Sequence, residues 1–265
     1  MAKPKIITVT NEKGGIGKTT TVINMAAVLN KMGHKTLVID TDRQANTTTT
    51  YQAEMEDVPT LYDAMLVDDD NKMPLDQVIQ HTEIGDIVAS DKQLKHAESI
   101  LSRDSNGNFK LLDAIEDSKA LDEYEYILID TAPAINKMLD NCLIASDEVL
   151  IPVEASKYCI GGLTDLVMAV RDIQKRQNKD LKISGLLLTK YHDNQNNDKA
   201  GRELLEDRAE EIGTKIFNTF IRETTKAKEA VSVDESLATY APSSTAGLDY
   251  YDFVEEFLTD HGVEV

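Results

Sequence analysis

Length, composition and charge exclude several classes of protein before any motif is considered. The chain has 265 residues, 41% of them hydrophobic, so it can bury a sizeable core; its 28 Lys and Arg against 47 Asp and Glu give a formal net charge of -19, which requires any DNA contact to come from a local basic patch. The sequence contains no run of about 18 apolar residues, so no membrane span is predicted. Cys142 and Cys159 form no CxxC pair, so neither a zinc site nor a disulfide framework is indicated and a reducing cytoplasm is expected.

Short β-branched runs alternate along the chain with longer segments of helical periodicity, which is the pattern of βα units around a mainly parallel sheet. In chain order it predicts a strand at residues 5–10, a helix at 20–32, strands at 36–40, 84–89, 126–130 and 148–153, a helix at 162–177, a strand at 183–189, a helix at 199–212, a strand at 216–221 and a helix at 250–258. The run at 84–89 is an additional candidate beside six clearer strands. The acidic run at 68–70 is interpreted as a loop tip.

The last predicted helix carries an apolar stripe formed by Tyr250, Val254, Phe257 and Leu258. Its flanks are acidic, whereas a helix that lies on a membrane surface needs Lys and Arg there. We therefore expect the stripe to pack on the core of the protein.

The strongest motif, NEKGGIGKTT at residues 11–20, stands between the first strand and the first helix. Glycines let successive N–H groups turn toward phosphate oxygens, and the helix N-terminus adds partial positive charge. Lys18 would reach the β- and γ-phosphates and the Thr19 hydroxyl would bind Mg²⁺. The alternative, an ordinary tight turn with solvated lysines, is disfavoured because KGGIGKTT arises by chance in roughly one chain in tens of thousands. The predicted nucleotide-binding residues are Lys13, Gly14, Gly15, Ile16, Gly17, Lys18, Thr19 and Thr20.

The loop is a variant, because Glu12 stands where the strict GxxxxGK[ST] pattern requires its first glycine, and Lys13 precedes the paired glycines. The fold class that follows is α/β, a P-loop NTPase with a mainly parallel twisted sheet and helices on both faces. No linker divides the chain, so residues 1–265 are interpreted as one domain. Because only twelve residues precede Lys13, no N-terminal helix-turn-helix domain is expected.

Acidic residues end two predicted strands, where a parallel sheet presents its ligand crevice. Asp130 ends YILID and has the form of an aspartate that holds Mg²⁺, while Asp40 ends TLVID and is expected to support the same metal shell. Asp42, two residues beyond the strand, is the candidate for orienting the attacking water. A single Asp at a strand end is more often a turn or cap residue, but together with the phosphate loop these three favour a metal–nucleotide site.

These segments resemble the ParA/MinD family of deviant Walker ATPases, and within it the Soj-like partition branch. KGGIGKTT is similar to the family's loop. VIDTDRQAN at 38–46, YILIDTAP at 126–133, LIPVEASKYCIGGL at 150–163 and IFNTFIRETTKAKEA at 216–230 resemble further family segments. The matches span most of the chain.

The resemblance implies a function for Lys13, which would cross a dimer interface to contact the nucleotide of the other subunit and make hydrolysis depend on dimerisation. It implies slow ATP hydrolysis to ADP with Mg²⁺, an ATP-bound homodimer that binds DNA non-specifically and associates with the nucleoid, and stimulation by a ParB-like centromere-binding partner. Plasmid or chromosome segregation would be the outcome.

The sequence departs from the family at Arg43, in place of a proline, and at Arg222-Glu223, in place of Pro-Arg. A basic residue common in the family near residues 191–197 is absent. The DNA-contact candidates are Arg222, Lys226, Lys228 and Lys190, with a cluster at Arg171, Lys175, Arg176 and Lys179. For each one, a solvated surface cation is the competing interpretation.

Three other functions compete with partition. A MinD-like membrane cycle would need a basic amphipathic C-terminal helix, yet the chain ends in the acidic DHGVEV. A nitrogenase-iron-protein-like electron carrier would need two well-placed cysteines per subunit, whereas Cys142 and Cys159 are interpreted as small buried hydrophobes. A nucleotide-dependent scaffold that positions another cargo, such as a carboxysome or a chemotaxis cluster, remains an alternative.

Overall fold

Strands and helices alternate through most of the chain in the computed structural model, which describes residues 3–67, 71–156 and 159–263. The strands are β1 (Lys5–Val9), β2 (Thr36–Asp40), β3 (Ile79–His81), β4 (Asp86–Val88), β5 (Tyr126–Asp130), β6 (Glu148–Val153), β7 (Lys182–Tyr191) and β8 (Ile221–Arg222). The helices are α1 (Lys18–Lys31), α2 (Asn46–Thr50), α3 (Leu61–Met65), α4 (Ala97–Arg103), α5 (Lys110–Glu116), α6 (Lys137–Ala145), α7 (Cys159–Arg176), α8 (Asn196–Ile212), α9 (Thr225–Ser232), α10 (Leu237–Tyr240) and α11 (Thr245–Asp260).

In the part of the chain that the structure describes, the strands form one sheet in the order β3-β4-β2-β5-β1-β6-β7-β8. All neighbours pair in parallel except β3 with β4, which pair antiparallel. The register places Val9 and Asp40 opposite Asp130 from either side, so the phosphate loop and both predicted metal carboxylates emerge at the same edge of the sheet. The predicted α/β fold of the P-loop NTPase type is confirmed.

The central strands β2, β5 and β6 are buried on both faces because helices cover both sides of the sheet. On β5, Leu128 faces a core shared with α1 and α11, whereas Ile127 and Ile129 face the opposite core beneath α3 to α6. A third cluster packs α7 and α8 on β6 and β7. Successive side chains of one strand therefore pack against helices on opposite faces of the sheet. The carboxyl ends of the strands, where the predicted site lies, are held between these two layers.

The prediction of a strand at 216–221 is wrong in its length. Ile216 makes only an isolated bridge to Leu186, and the ladder resumes at β8. The backbone N–H groups of Asn218 and Thr219 instead donate to the Glu256 carboxylate, at 2.7 and 2.8 Å. Because those donors leave the sheet, the segment cannot continue as a strand.

The other predicted elements are present with small shifts at their ends. β4 is shorter than the predicted run at 84–89, and the sequence pattern missed β3 and several short helices. The acidic run at 68–70 lies outside the described residues. The stripe Tyr250, Val254, Phe257 and Leu258 is buried in the core, as predicted. No helix among the described residues is long and apolar enough to span a membrane.

Candidate nucleotide-binding site

The phosphate loop connects β1 to α1 and leaves the first turn of that helix without a side-chain cap. Gly17, the residue before α1, has φ of +91°, and Gly15 has φ of +75°, a left-handed conformation that favours glycine. The uncapped backbone N–H groups at the start of α1 are therefore free to donate to an anion. The predicted loop has the geometry of a phosphate cradle.

Hydrogen bonds within the loop and to the neighbouring strands β6 and β7 hold it in place. The Asn11 amide donates to the Pro152 carbonyl at 2.9 Å, and the Thr189 hydroxyl donates to the Ile16 carbonyl at 2.8 Å. Lys18 Nζ donates to the Lys13 carbonyl at 3.0 Å. The Ile16 side chain is fully buried, so only its backbone can take part in ligand binding. The loop is thus ordered by contacts that do not require a ligand.

Lys18 lies almost buried, with 6% of its surface exposed. Burial lowers its pKa, and the charges of Asp130 and Asp42 oppose that shift. A cation in such a place is stabilised by nearby anions, which a triphosphate would supply.

Asp130 is the one predicted carboxylate with a buried oxygen that accepts no hydrogen bond from the described residues. Its Oδ2 accepts from the hydroxyls of Thr19 at 2.8 Å and Thr47 at 2.6 Å, whereas its Oδ1 is buried without a partner. Burial raises the pKa of Asp130, partly offset by the hydrogen bonds from Thr47 and Thr19. An unsatisfied carboxylate oxygen beside a threonine hydroxyl fits Mg²⁺ or a water bound to it.

Asp40 supports this edge from behind. Its side chain accepts hydrogen bonds from the backbone of Asp42 at 3.0 Å and from the backbone and hydroxyl of Thr48 at 2.9 and 2.8 Å. Burial raises the pKa of Asp40, and the neighbouring Asp130 charge adds to the shift. The residue fastens the turn between β2 and α2, which also carries Asp42. The described residues contain no group of three or more His, Cys, Asp or Glu suited to a metal, so phosphate and water would have to complete a magnesium shell.

Asp42 lies at the junction of two cavities. One, of about 640 Å³, runs from the phosphate loop, and the other, of about 330 Å³, lies toward α4 and α6. Asp42 Oδ1 accepts from the backbone N–H of Gln44 at 2.9 Å, and no described residue donates to Oδ2. The free oxygen is therefore available to a water molecule at the mouth of the phosphate loop.

The larger cavity has the size of a small-molecule site. Beyond the phosphate loop, part of its lining comes from β8, α9 and α11. The hydroxyl of Tyr250, one of the lining residues, lies 3.3 Å from the hydroxyl of Thr21. Lining residues that were not among the predicted site residues include Gln44, Asn46, Thr189, Ala227 and Tyr250. The run of threonines directly after VIDTDRQAN was the available signal for Thr47 and Thr48.

Lys13 and Lys190 meet at Glu154. Lys13 Nζ lies 2.5 Å from Glu154 Oε2, and Lys190 Nζ lies 3.1 Å from Glu154 Oε1 and 2.5 Å from the Gly15 carbonyl oxygen. Although partial burial opposes it, hydrogen bonds from both lysines hold the pKa of Glu154 below its usual value. Lys190, a DNA-contact candidate, therefore lies at the phosphate loop.

The remaining DNA candidates differ in their pairing. Arg222 makes a bidentate contact with Asp249, and Lys226 pairs with Glu229 at 2.6 Å. Lys228 lines the larger cavity. The cluster Arg171, Lys175, Arg176 and Lys179 is exposed, and no ion pair with a described residue involves it. Cys142 is buried, and burial raises the pKa of its thiol to about 12, whereas the Cys159 side chain lies outside the described part of the chain.

Comparison with known proteins gives a consistent set of relatives. A family model described as "AAA domain" matches residues 4–183. The sporulation initiation inhibitor protein Soj of Bacillus subtilis is 35% identical over 254 residues, covering 95% of this chain and 97% of its own. The chromosome partitioning protein ParA of Myxococcus xanthus is 31% identical over 257 residues, covering 96% and 88% of the two chains.

Solved structures share the fold over nearly the whole chain. A putative plasmid partition protein of Borrelia burgdorferi bound to AMPPNP aligns with a TM-score of 0.79 at 25% identity, covering 97% of this chain and 100% of its own. The ATP complex of a Cyanothece McdA variant aligns with a TM-score of 0.85 at 22% identity, covering 100% and 99%. Cobyrinic acid a,c-diamide synthase of Mycobacterium smegmatis, crystallised with ADP and magnesium, aligns with a TM-score of 0.81 at 22% identity, covering 98% and 96%.

Proposed function

Because this chain belongs to the ParA/MinD family of P-loop ATPases, we propose that it is a ParA-type partition ATPase, which binds Mg-ATP, forms an ATP-sandwich dimer, binds DNA non-specifically and hydrolyses ATP slowly. The structural observation that supports Mg-ATP binding is Oδ1 of Asp130, which is buried beside Thr19 and the phosphate loop and accepts no hydrogen bond from a described residue. A loop with only a structural role does not require a buried carboxylate oxygen that lacks a hydrogen-bond donor.

Three residues hold the phosphates and the metal in this proposal. Lys18 leaves the Lys13 carbonyl and donates to the β- and γ-phosphates, while the backbone N–H groups of residues 14–20 surround them. Thr19 and Asp130 would hold Mg²⁺, with Asp40 fastening the turn beside them. When bound, Mg²⁺ neutralises charge that develops on the phosphate oxygens.

Asp42 orients the attacking water. The hydrogen bond from the Gln44 N–H to Oδ1 fixes the orientation of the carboxylate, and Oδ2, which accepts from no described residue, is left to bind the water. The carboxylate accepts a hydrogen bond from the water, so that the lone pair of the water points at the γ-phosphorus.

Lys13 acts on the nucleotide that the other subunit binds. Two nucleotides held face to face need cations between them, and a lysine donated across the interface supplies one only when the subunits are paired. Hydrolysis therefore follows dimerisation, and loss of the γ-phosphate removes the contacts that hold the dimer together. A ParB-like partner accelerates this step and separates the subunits.

The DNA-binding surface of the dimer is best supported at the end of α7. Arg171, Lys175, Arg176 and Lys179 are exposed there, whereas Arg222, Lys226 and Lys190 already pair with carboxylates. Phosphate contacts supply most of the affinity of non-specific binding. Lys228 remains a candidate beside the cavity.

Substituting Asp42 tests the assignment of catalysis. We expect Asp42→Ala to form ATP-dependent dimers, seen by light scattering, with phosphate release reduced at least about a hundredfold, because water orientation contributes on that order. Lys18→Ala is the control that should lose nucleotide binding altogether. A normal turnover rate in Asp42→Ala would remove this residue from its role.

Substituting Lys13 tests the trans arrangement. We expect Lys13→Ala to bind nucleotide as a monomer but to lose ATP-dependent dimerisation and hydrolysis. Mixing Lys13→Ala with Asp42→Ala should restore turnover at one of the two sites, because one subunit then supplies the lysine and the other the aspartate. Failure of the mixture, with dimers present, would count against donation in trans.

The alternative, an ATPase scaffold that positions another cargo, shares this nucleotide cycle. ATPase rates with and without non-specific DNA and a candidate basic partner protein distinguish the two. Partition predicts stimulation that needs the partner and ATP-dependent retention on DNA at physiological salt. A dimer that forms with ATP but does not bind DNA would favour the scaffold.

A further inference from the structure

Glu154 stands at the end of β6 and holds two lysines with its two oxygens. Lys13 comes from the phosphate loop and Lys190 from the end of β7, at 2.5 and 3.1 Å. The three side chains are partly exposed, at 24% for Glu154, 41% for Lys13 and 44% for Lys190. One carboxylate thus faces two cations, of which one would leave the subunit in the proposed dimer.

The backbone at Lys190 is bent to place its side chain on the loop. Its φ of +53° is in the left-handed region, which residues with a Cβ seldom adopt. The register between β7 and β8 shifts at the same point, between Thr189 and Tyr191. Consecutive residues then bond consecutive loop carbonyls, Thr189 to Ile16 at 2.8 Å and Lys190 to Gly15 at 2.5 Å. Strain of this kind concentrates at functional positions.

We propose that Lys190 is a positioning residue that keeps Glu154 neutralised, so that Lys13 can leave its own subunit and reach the nucleotide of the other. The inference rests on the proposed function, in which Lys13 acts across the dimer. It concerns the step in which Lys13 leaves its own subunit. Before this step Glu154 holds Lys13, and throughout the step Lys190 stays paired with Glu154.

The charges explain why a second lysine is needed. While Lys13 is docked, Glu154 faces both cations. Once Lys13 has crossed to the partner, Glu154 would be a half-buried carboxylate beside a loop that carries a triphosphate, and its repulsion would oppose the dimer. Lys190 removes that repulsion because its anchoring on the Gly15 carbonyl does not depend on Lys13.

Removing Lys190 should therefore weaken dimerisation. In Lys190→Met we expect ATP-dependent self-association, measured by sedimentation with a non-hydrolysable Mg-ATP analogue, to weaken about three- to fivefold, the range for one partly exposed ion pair. Nucleotide affinity of the monomer, measured with fluorescent ATP at low protein concentration, should fall by a smaller factor than self-association does, because Lys190 contacts a loop carbonyl and the proposed role concerns Lys13. Lys35→Met is the matched control, because Lys35 is also 44% exposed and pairs with Glu123 at 2.6 Å, away from the site.

Removing the anchor should have the opposite effect. We expect Glu154→Gln to strengthen self-association by a similar factor, because Lys13 then leaves a neutral side chain. In the double variant, Lys190→Met should no longer weaken association. A merely structural role for Lys190 would instead leave the defect in place, and thermal denaturation of all variants checks that each is folded.

Two results would overturn the inference while leaving the proposed function intact. One is an equal loss of monomer nucleotide affinity and self-association in Lys190→Met that Glu154→Gln does not relieve, which would make Lys190 a direct phosphate ligand. The other is unchanged self-association in both single variants. If the unsubstituted chain shows no ATP-dependent association, the proposed function fails and this inference fails with it.

Discussion

At the scale of single residues, the site consists of side chains whose roles differ in how far the sequence could predict them. KGGIGKTT and the aspartates at strand ends predict Lys18 and Asp130 as binding residues because their chemistry is tied to local motifs. Glu154 and Thr189 could not be assigned in this way. Their partners lie 141 and 173 residues away, and only the adjacency of β1, β6 and β7 brings them together. Lys190 was expected at a DNA surface because a sequence does not show which cations are already paired.

A substitution at Asp130 tests the metal interpretation. We expect Asp130→Asn to keep the hydrogen-bonding shape toward Thr19 and Thr47 but to reduce by about tenfold or more the gain in nucleotide affinity that Mg²⁺ provides, because one charged ligand is lost. Isothermal titration with ATP, with and without Mg²⁺, measures this gain.

Asp147→Asn is a suitable control for that measurement. Asp147 Oδ2 accepts from the backbone of Ile6, at the opposite end of β1 from the phosphate loop. Magnesium dependence that is unchanged in Asp130→Asn would show that the orphaned oxygen serves another group.

At the scale of elements, strands were predicted better than the segments between them. A buried strand needs only an apolar run, whereas the segment 216–221 leaves the ladder because Glu256 of α11 takes its N–H groups. The short α2 is likewise stabilised by a side chain outside the helix, with Asp40 accepting from the backbone N–H of Thr48. Such competition for backbone donors is not visible to periodicity.

The packing of α8 gives a prediction at this scale. A Cβ on Gly201 would lie 2.3 Å from the Ala155 carbonyl oxygen, directly after Glu154 in the chain. Gly201→Ala should therefore displace α8 or residues 154–156 and cost about 1–3 kcal/mol of unfolding free energy, as for overpacked sites. Urea denaturation measures the loss.

Gly161→Ala is the matched control, because apart from its own helix no described residue lies within 4 Å of a Cβ added to this α7 glycine. Alanine there should be neutral or stabilise by up to about 1 kcal/mol through its helix propensity. Equal effects of the two substitutions would contradict the packing argument.

At the scale of the whole molecule, the far edge of the sheet is closed by a charge cluster that joins the first strand to the end of the last helix. His261 Nε2, directly after α11, lies 2.8 Å from Glu148 on β6, and Lys5 on β1 lies 2.7 Å from the same carboxylate. The hydrogen bond to Glu148 raises the pKa of His261, against partial burial. The last helix is therefore tied to the centre of the sheet by a titratable contact.

This contact predicts how stability depends on pH. Because the pKa of His261 is raised in the folded state, its contact with Glu148 contributes fully to stability below the unfolded-state pKa of about 6.5. That contribution is lost as pH rises through the folded-state pKa. We expect the difference in unfolding free energy between the unsubstituted chain and His261→Asn to shrink from pH 6 to pH 9, by less than about 1 kcal/mol because the pair is partly solvated. A difference that grows over this interval would reverse the sign.

The four exposed cations at the end of α7 have a consequence that depends on symmetry. In the proposed two-fold dimer the cluster would occur twice, so one DNA molecule could engage both copies, and the second contact would form at a high effective concentration. Retention on DNA would then depend on avidity and would need no rearrangement of the cluster itself. Each phosphate engaged makes log affinity fall more steeply with log salt concentration, by about 0.9 in the slope. The affinity of the proposed dimer for DNA should therefore fall about twice as steeply with salt as that of the monomer.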